Sequence, residues 1–204
     1  MKYLKMLGLA VVAAAALMAF VGASSASATT LTCTNPPGTK VTCPAGTTIH
    51  ATAESSLTLK AGFANITCTE STVHGLTSNT GSATETVKGN IEALTFGACN
   101  ATVNVIKKGS LEIHTQNATA NNNGTLTGTG SEVTVSTLGV SCVYGTPTAT
   151  DLGTLTGSTS RGGSTATMDI SAELTKISGG FACANPAHWE GSYTVTSPDW
   201  LDVD

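Results

Sequence analysis

Charge and aromatic rings are both scarce in this chain: 11% of its 204 residues are charged and 4% are aromatic. A formal net charge of −4 at pH 7 excludes the basic face that neutralises phosphates, so neither nucleic acid nor an anionic membrane surface is an expected partner. Few aromatics leave a core of Val, Ile, Leu, Ala and Thr. The longest apolar run, Leu7 to Val21, has fifteen residues, short of the roughly 20 that a membrane-spanning helix needs. No two cysteines stand at the spacing of a zinc knuckle, and His50, His74, His114 and His188 are scattered, so no metal site is expected. Nucleophile elbows of the Gly-x-Ser-x-Gly type, Gly-Lys-Ser/Thr phosphate loops and acidic calcium loops are missing too, and no cofactor is expected.

What is present begins with a leader. Lys2 and Lys5 precede the apolar run and Ala26-Ser27-Ala28 follows it, the pattern of a cleaved signal peptide over 1–28. Removing it leaves seven basic residues against thirteen acidic ones, a charge of −6. All six cysteines (Cys33, Cys43, Cys68, Cys99, Cys142, Cys183) lie beyond it. An even count in an exported chain predicts three disulfides, and six cysteines allow fifteen pairings.

An internal similarity narrows the choice. Ser55-Ser56-Leu57-Thr58-Leu59, leading to Cys68, reads like Ser131-Glu132-Val133-Thr134-Val135, leading to Cys142. Ile91-Glu92-Ala93-Leu94-Thr95 before Cys99 likewise resembles Ile170 to Thr175 before Cys183. The two copies, 55–115 and 131–197, each carry two equivalent cysteines, so the simplest pairing is Cys68 with Cys99 and Cys142 with Cys183. Cys33 and Cys43 then close a small Pro-Gly loop.

Apolar residues recur two apart, as in Leu57/Leu59, Leu111/Ile113, Val133/Val135 and Tyr193/Val195. This is the period of a half-buried strand, and the abundance of β-branched Thr supports it. Frequent Gly, Pro and Asn turns cut the chain into short strands. The expected fold is all-β: a disulfide-stapled β-sandwich, Greek-key or jelly-roll-like, forming a single domain over 29–204. A boundary between the halves, if one exists, falls at Gln116 to Asn123, where the alternation lapses.

Four glutamates, Glu92, Glu112, Glu173 and Glu190, sit in strand-like stretches and are the candidates for a carboxylate pair acting on a glycosidic bond. Each alternates with apolar neighbours, which predicts outward-facing, solvated side chains, and no catalytic residue is nominated. His188-Trp189-Glu190 is the densest candidate for a ligand-binding cluster. Alternation puts His188 and Glu190 on one face, with Trp189, Tyr193 and Val195 on the other. His114 is placed to pair with Glu112.

The Ala-rich leader, Ser56-Leu57-Thr58-Leu59, Ile66-Thr67-Cys68, the run Leu94 to Cys99 and the closing Trp189 to Val195 together resemble secreted β-rich proteins of actinobacteria. The stretch from Leu57 to Val105 is also similar to the alkane-oxidation protein activator family, although Val103-Asn104-Val105 stands where that family carries Leu-Pro-Trp. The resemblance implies export and a β fold, and carries over no catalytic residue. The expected function is therefore non-catalytic: adhesion or ligand binding at the cell envelope or in the extracellular matrix, with wall or matrix polysaccharide, or self-association, as the partner. An extracellular hydrolase using acidic residues and an accessory factor for hydrocarbon uptake are the alternatives.

Overall fold

The computed structural model describes residues 29–35, 39–116, 123–158 and 165–204, so the expected signal segment 1–28 lies outside the described residues. These form strands and no helix: β1 (Thr29–Asn35), β2 (Thr39–Thr42), β3 (Thr48–Ala53), β4 (Leu57–Gly62), β5 (Asn65–Thr77), β6 (Gly81–Ser82), β7 (Val87–Cys99) and β8 (Thr102–Lys107). The second half supplies β9 (Ser110–Thr115), β10 (Asn123–Thr129), β11 (Glu132–Thr137), β12 (Val140–Gly145), β13 (Thr150–Thr156), β14 (Thr167–Gly179), β15 (Cys183–Ser197) and β16 (Leu201–Val203).

Several short strands are pieces of longer ones. β3 and β4 run in the same direction between the same neighbours, β5 and β15, and behave as one strand interrupted at Glu54 to Ser56. β8 continues into β9 across Lys108-Gly109, and β10 into β11 across Gly130-Ser131. β12 and β13 both lie antiparallel to β14. The break before β9 needs glycine: Gly109 has φ +75°, and a Cβ there would stand 2.5 Å from the Thr129 carbonyl oxygen.

With these joined, the chain runs β3/β4, β5, β7, β8/β9, β10/β11, β12/β13, β14, β15, and β15 pairs back onto β3/β4. The ladder is a ring of antiparallel strands, each beside its successor in sequence. Closure removes the exposed edges that an open sheet would leave, except along residues 92–99 of β7 and along β8, which no ladder joins among the described residues. The expected all-β, disulfide-stapled fold is present, with antiparallel walls facing one another over a single buried cluster. The connections do not follow the Greek-key or jelly-roll order. Links such as Phe63-Ala64 and Leu138-Gly139 reach only the adjacent strand, so the chain meanders.

Alternation fills the ring. On β4, Leu57, Leu59 and Ala61 are buried while Lys60 is exposed; on β14, Met168, Ile170, Ala172 and Leu174 are buried between exposed Asp169, Ser171 and Glu173. Apolar residues thus face inward and Thr, Lys and Glu outward, the reverse of a barrel that spans a membrane. The two similar segments occupy successive parts of the ring, with Cys68 on β5 and Cys142 on β12.

The ring has two different ends. A small sheet of β16, β1 and β2 covers the one where β7 and β14 begin. Thr30 and Asp204 exchange backbone hydrogen bonds there, and Leu31, Trp200 and Val203 are buried beneath. At the opposite end lie the turns β4–β5, β7–β8, β11–β12 and β14–β15. They are adjacent in that order: Cys68 pairs with Cys99, Ser136 with Thr102, Cys142 with Gly179, and Cys183 with Gly62.

The disulfides are those expected, Cys33–Cys43, Cys68–Cys99 and Cys142–Cys183, closing separations of 10, 31 and 41 residues. The first staples the terminal sheet and the other two the turn-bearing end. Loop-closure entropy predicts losses of roughly 2.5 to 3 kcal/mol for the first and about 4 kcal/mol for each of the others when replaced by a serine pair. Urea unfolding of the three double variants checks the ranking; a Cys33→Ser/Cys43→Ser protein less stable than the other two would contradict it.

Candidate functional site

Few large side chains point into the ring, and they leave a gap. The interior holds a cavity of about 100 Å³ walled by strands from both halves, among them Leu59, Ile66, Leu126, Met168, Leu174 and Trp189. The seven aromatics among the described residues are too few to fill the interior, and two of them, Phe96 and Trp189, meet edge-on at a centroid distance of 6.3 Å and 73°. That geometry suits paired aromatic quadrupoles.

The wall is incomplete on one side. β7 pairs with β9 from Val87 to Asn90, and Ile91 donates one more backbone bond to Gly109 (3.1 Å). Beyond that point β7 and β8 diverge, and no ladder joins them among the described residues. Leu94 and Phe96 on β7, Val103 on β8 and Val133 on β11 line the cavity here and are only half-buried, as side chains at an opening are. Lys108 spans part of the gap by donating its Nζ–H to the Glu92 carbonyl (2.5 Å), which satisfies an acceptor that a neighbouring strand would otherwise take.

Polar groups in the wall already have partners. Ser71 donates to the Thr95 carbonyl (2.6 Å), so the buried Tyr193 hydroxyl, 2.9 Å away, is the donor to Ser71 Oγ. Burial pushes the Tyr193 hydroxyl up to about 12 against the smaller opposing effect of that hydrogen bond. Tyr144, also buried, donates to the Ala61 carbonyl (3.1 Å), and burial raises its hydroxyl as well. Ser131 donates to the Lys108 carbonyl (2.6 Å) and Glu132 is paired with Lys107 (2.6 Å). The interior therefore offers shape and apolar contact, with its hydrogen-bonding groups engaged.

The cluster at His188, Trp189 and Glu190 divides between the two faces. Trp189 faces the cavity. His188 and Glu190 lie on the outer surface in a charged row that crosses three strands. Glu173 Oε1 is 2.8 Å from His188 Nδ1, His188 Nε2 is 3.3 Å from Glu190 Oε2, and Glu190 Oε1 is 2.9 Å from Lys60 Nζ. Lys60, and after it His188, hold the Glu190 carboxyl below its ordinary range. Glu112 stands between Lys88 (3.6 Å) and His114 (3.7 Å), also outside, and Glu92 is exposed on β7. Exposed pairs of this kind contribute little. Among the described residues no group of three His, Cys, Asp or Glu side chains is arranged to hold a metal ion.

Phe96, Tyr144 and Tyr193 were not legible as one site, because nothing in their spacing places β7, β12 and β15 around a common space. Their shared sign was alternation: each sits on the buried parity of its strand. Comparison with known proteins finds no family, curated relative or solved structure that the chain matches.

Tyr193 gives the interior an alkaline limit. Its folded-state value, about 12, lies above the ordinary 10, so its contribution to stability is complete below pH 10 and is lost as pH rises toward 12. The expected loss over that window is roughly 2 to 3 kcal/mol. Urea midpoints from pH 8 to 12 measure it, and Tyr193→Phe should lower stability by about 1 kcal/mol at pH 8 while flattening the alkaline fall. An alkaline fall of the same size in the variant would show that another group governs it.

Proposed function

We propose that this chain is an exported, non-catalytic binding protein that holds a small apolar molecule inside its ring of strands. The observation that carries this reading is the cavity of about 100 Å³, whose wall is almost wholly apolar and whose polar groups are already hydrogen-bonded. An eight-position ring is about the size at which a barrel either fills with side chains or keeps room for one small ligand. An apolar void of this order stays dry and takes up molecules the size of benzene. The unpaired stretch between β7 and β8 supplies the route in.

Two further observations support the reading. Three disulfides suit an oxidising, extracellular compartment. The acidic residues that a hydrolase would use are occupied outside: Glu173 and Glu190 flank the same histidine, and Glu112 lies between Lys88 and His114. The outward Thr-rich face remains suited to contact with matrix polysaccharide.

Methyl chemical shifts read during titration with benzene and n-hexane test the proposal. Leu94, Leu126 and Val133 should shift saturably with a dissociation constant on the order of 0.1 to 1 mM, as expected for a ligand of about six heavy atoms. Val133→Phe, which adds bulk at the opening, should abolish saturation, and Lys60→Gln on the outer face should leave it unchanged. Linear, unsaturable shifts in the unsubstituted protein would overturn the reading.

A further inference from the structure

The two hairpin turns β11–β12 and β14–β15 carry the most exposed large apolar side chains of the described residues, Leu138 at 88% and Phe181 at 104%. They are neighbours at one end of the ring, since Cys142 pairs with Gly179 and is disulfide-bonded to Cys183. Ile177, 40% exposed, lies on the shoulder between them.

Leu138 is placed against its own backbone preference. Thr137 pairs with Val140, so the turn has two central residues, and both have positive φ: Leu138 at 52° and Gly139 at 77°. Such a turn favours Asn, Asp or Gly at its first central position, and water favours a polar side chain there as well. Leucine satisfies neither demand, which points to a role for its side chain outside the folded monomer.

The surroundings identify the occupant. The four turns at this end, residues 62–65, 99–102, 136–141 and 178–186, contain no Asp, Glu, Lys or Arg. Three charges stand behind the turns on the strands: Lys176 Nζ is directed to the Cys183 carbonyl (3.3 Å), Lys60, opposite Asn65, is paired with Glu190 (2.9 Å), and exposed Glu70 lies opposite Gly97. At the opposite end the terminal segment carries Asp199, Asp202 and Asp204. Two side chains projecting from turn tips do not supply the roughly 800 Å² per partner of a stable protein interface. They suit a fluid apolar phase, which closes around a projecting group without a matching surface. The disulfides Cys68–Cys99 and Cys142–Cys183 hold the tips in place.

We infer that this uncharged end docks on an electrically neutral lipid surface by inserting Leu138 and Phe181. The inference rests on the turns and is independent of the interior cavity.

Co-sedimentation of the disulfide-bonded protein with phosphatidylcholine vesicles tests it. The unsubstituted protein should partition to the vesicles, and adding an anionic lipid should not strengthen binding. Leu138→Asn and Phe181→Ser should each weaken partition roughly tenfold or more. Leu138→Asn should at the same time raise the thermal midpoint, because Asn tolerates the left-handed backbone; a purely structural role for Leu138 would not give that combination. Val133→Phe should bind vesicles as the unsubstituted protein does, which separates this inference from the cavity reading. Failure of the unsubstituted protein to bind, or equal binding by the two turn variants, would overturn the inference. So would concentration-dependent dimerisation that the same variants abolish, since the occupant would then be a second copy.

Discussion

Closure of the strand ring by β15 is the constraint on which the rest of the structure depends. β15 lies between β14 on one side and β3 and β4 on the other, and so joins the last part of the chain to the first. Without that closure the strands would form a long twisted sheet with open edges and an apolar face turned to water. Gly191 is part of the reason β15 fits: a Cβ there would stand 2.2 Å from Leu57 Cδ2. Its absence lets β4 pack against β15 between the Trp189 and Tyr193 side chains.

A ring with so few aromatic residues closes around too little side-chain volume. Wide walls of Leu, Ile and Val meet at the centre only in part, and the cavity is the remainder. Disulfides compensate at the two ends, where the small terminal sheet and the four turns would otherwise open most readily. The same shortage of apolar volume leaves the space in which we propose that a small molecule is held. Tyr193 on Ser71 and Tyr144 on Ala61 engage polar groups of the wall, so the space that is left offers apolar contact.

Apolar side chains are otherwise kept inside, which makes their appearance at the turns informative. A leucine in a left-handed turn and a fully exposed phenylalanine lie on the end without charge, while the carboxylates of the terminal segment lie on the other. The outer wall between these ends carries paired charges, such as the row from Glu173 through His188 and Glu190 to Lys60. Interior, ends and outer wall therefore present three different chemistries, built by one alternating pattern and its interruptions.

Local sequence determined which residues face inward. Alternation in Leu57-Thr58-Leu59 or Tyr193-Thr194-Val195 is a property of neighbouring residues in a pleated chain, and it correctly separated Trp189 from His188 and Glu190. The similarity of the two halves also led to the cysteine pairing that is found, although the two bridges differ: Cys68 and Cys99 lie opposite each other on β5 and β7, whereas Cys142 on β12 lies opposite Gly179 and reaches past it to Cys183 at the start of β15. Which strand lies beside which, and hence that the order is a meander closed on itself, was decided only in three dimensions. Short turns permit both a meander and a hairpin of a Greek key, and pairing β15 with β3 and β4 spans more than 120 residues of sequence, as in Tyr193 with Ala53. The cavity, its opening beside β8 and the placing of Leu138 and Phe181 on neighbouring turns at one end all follow from that closure. None has a local signature, since each is made by residues distant in the chain and adjacent only because the ring is complete.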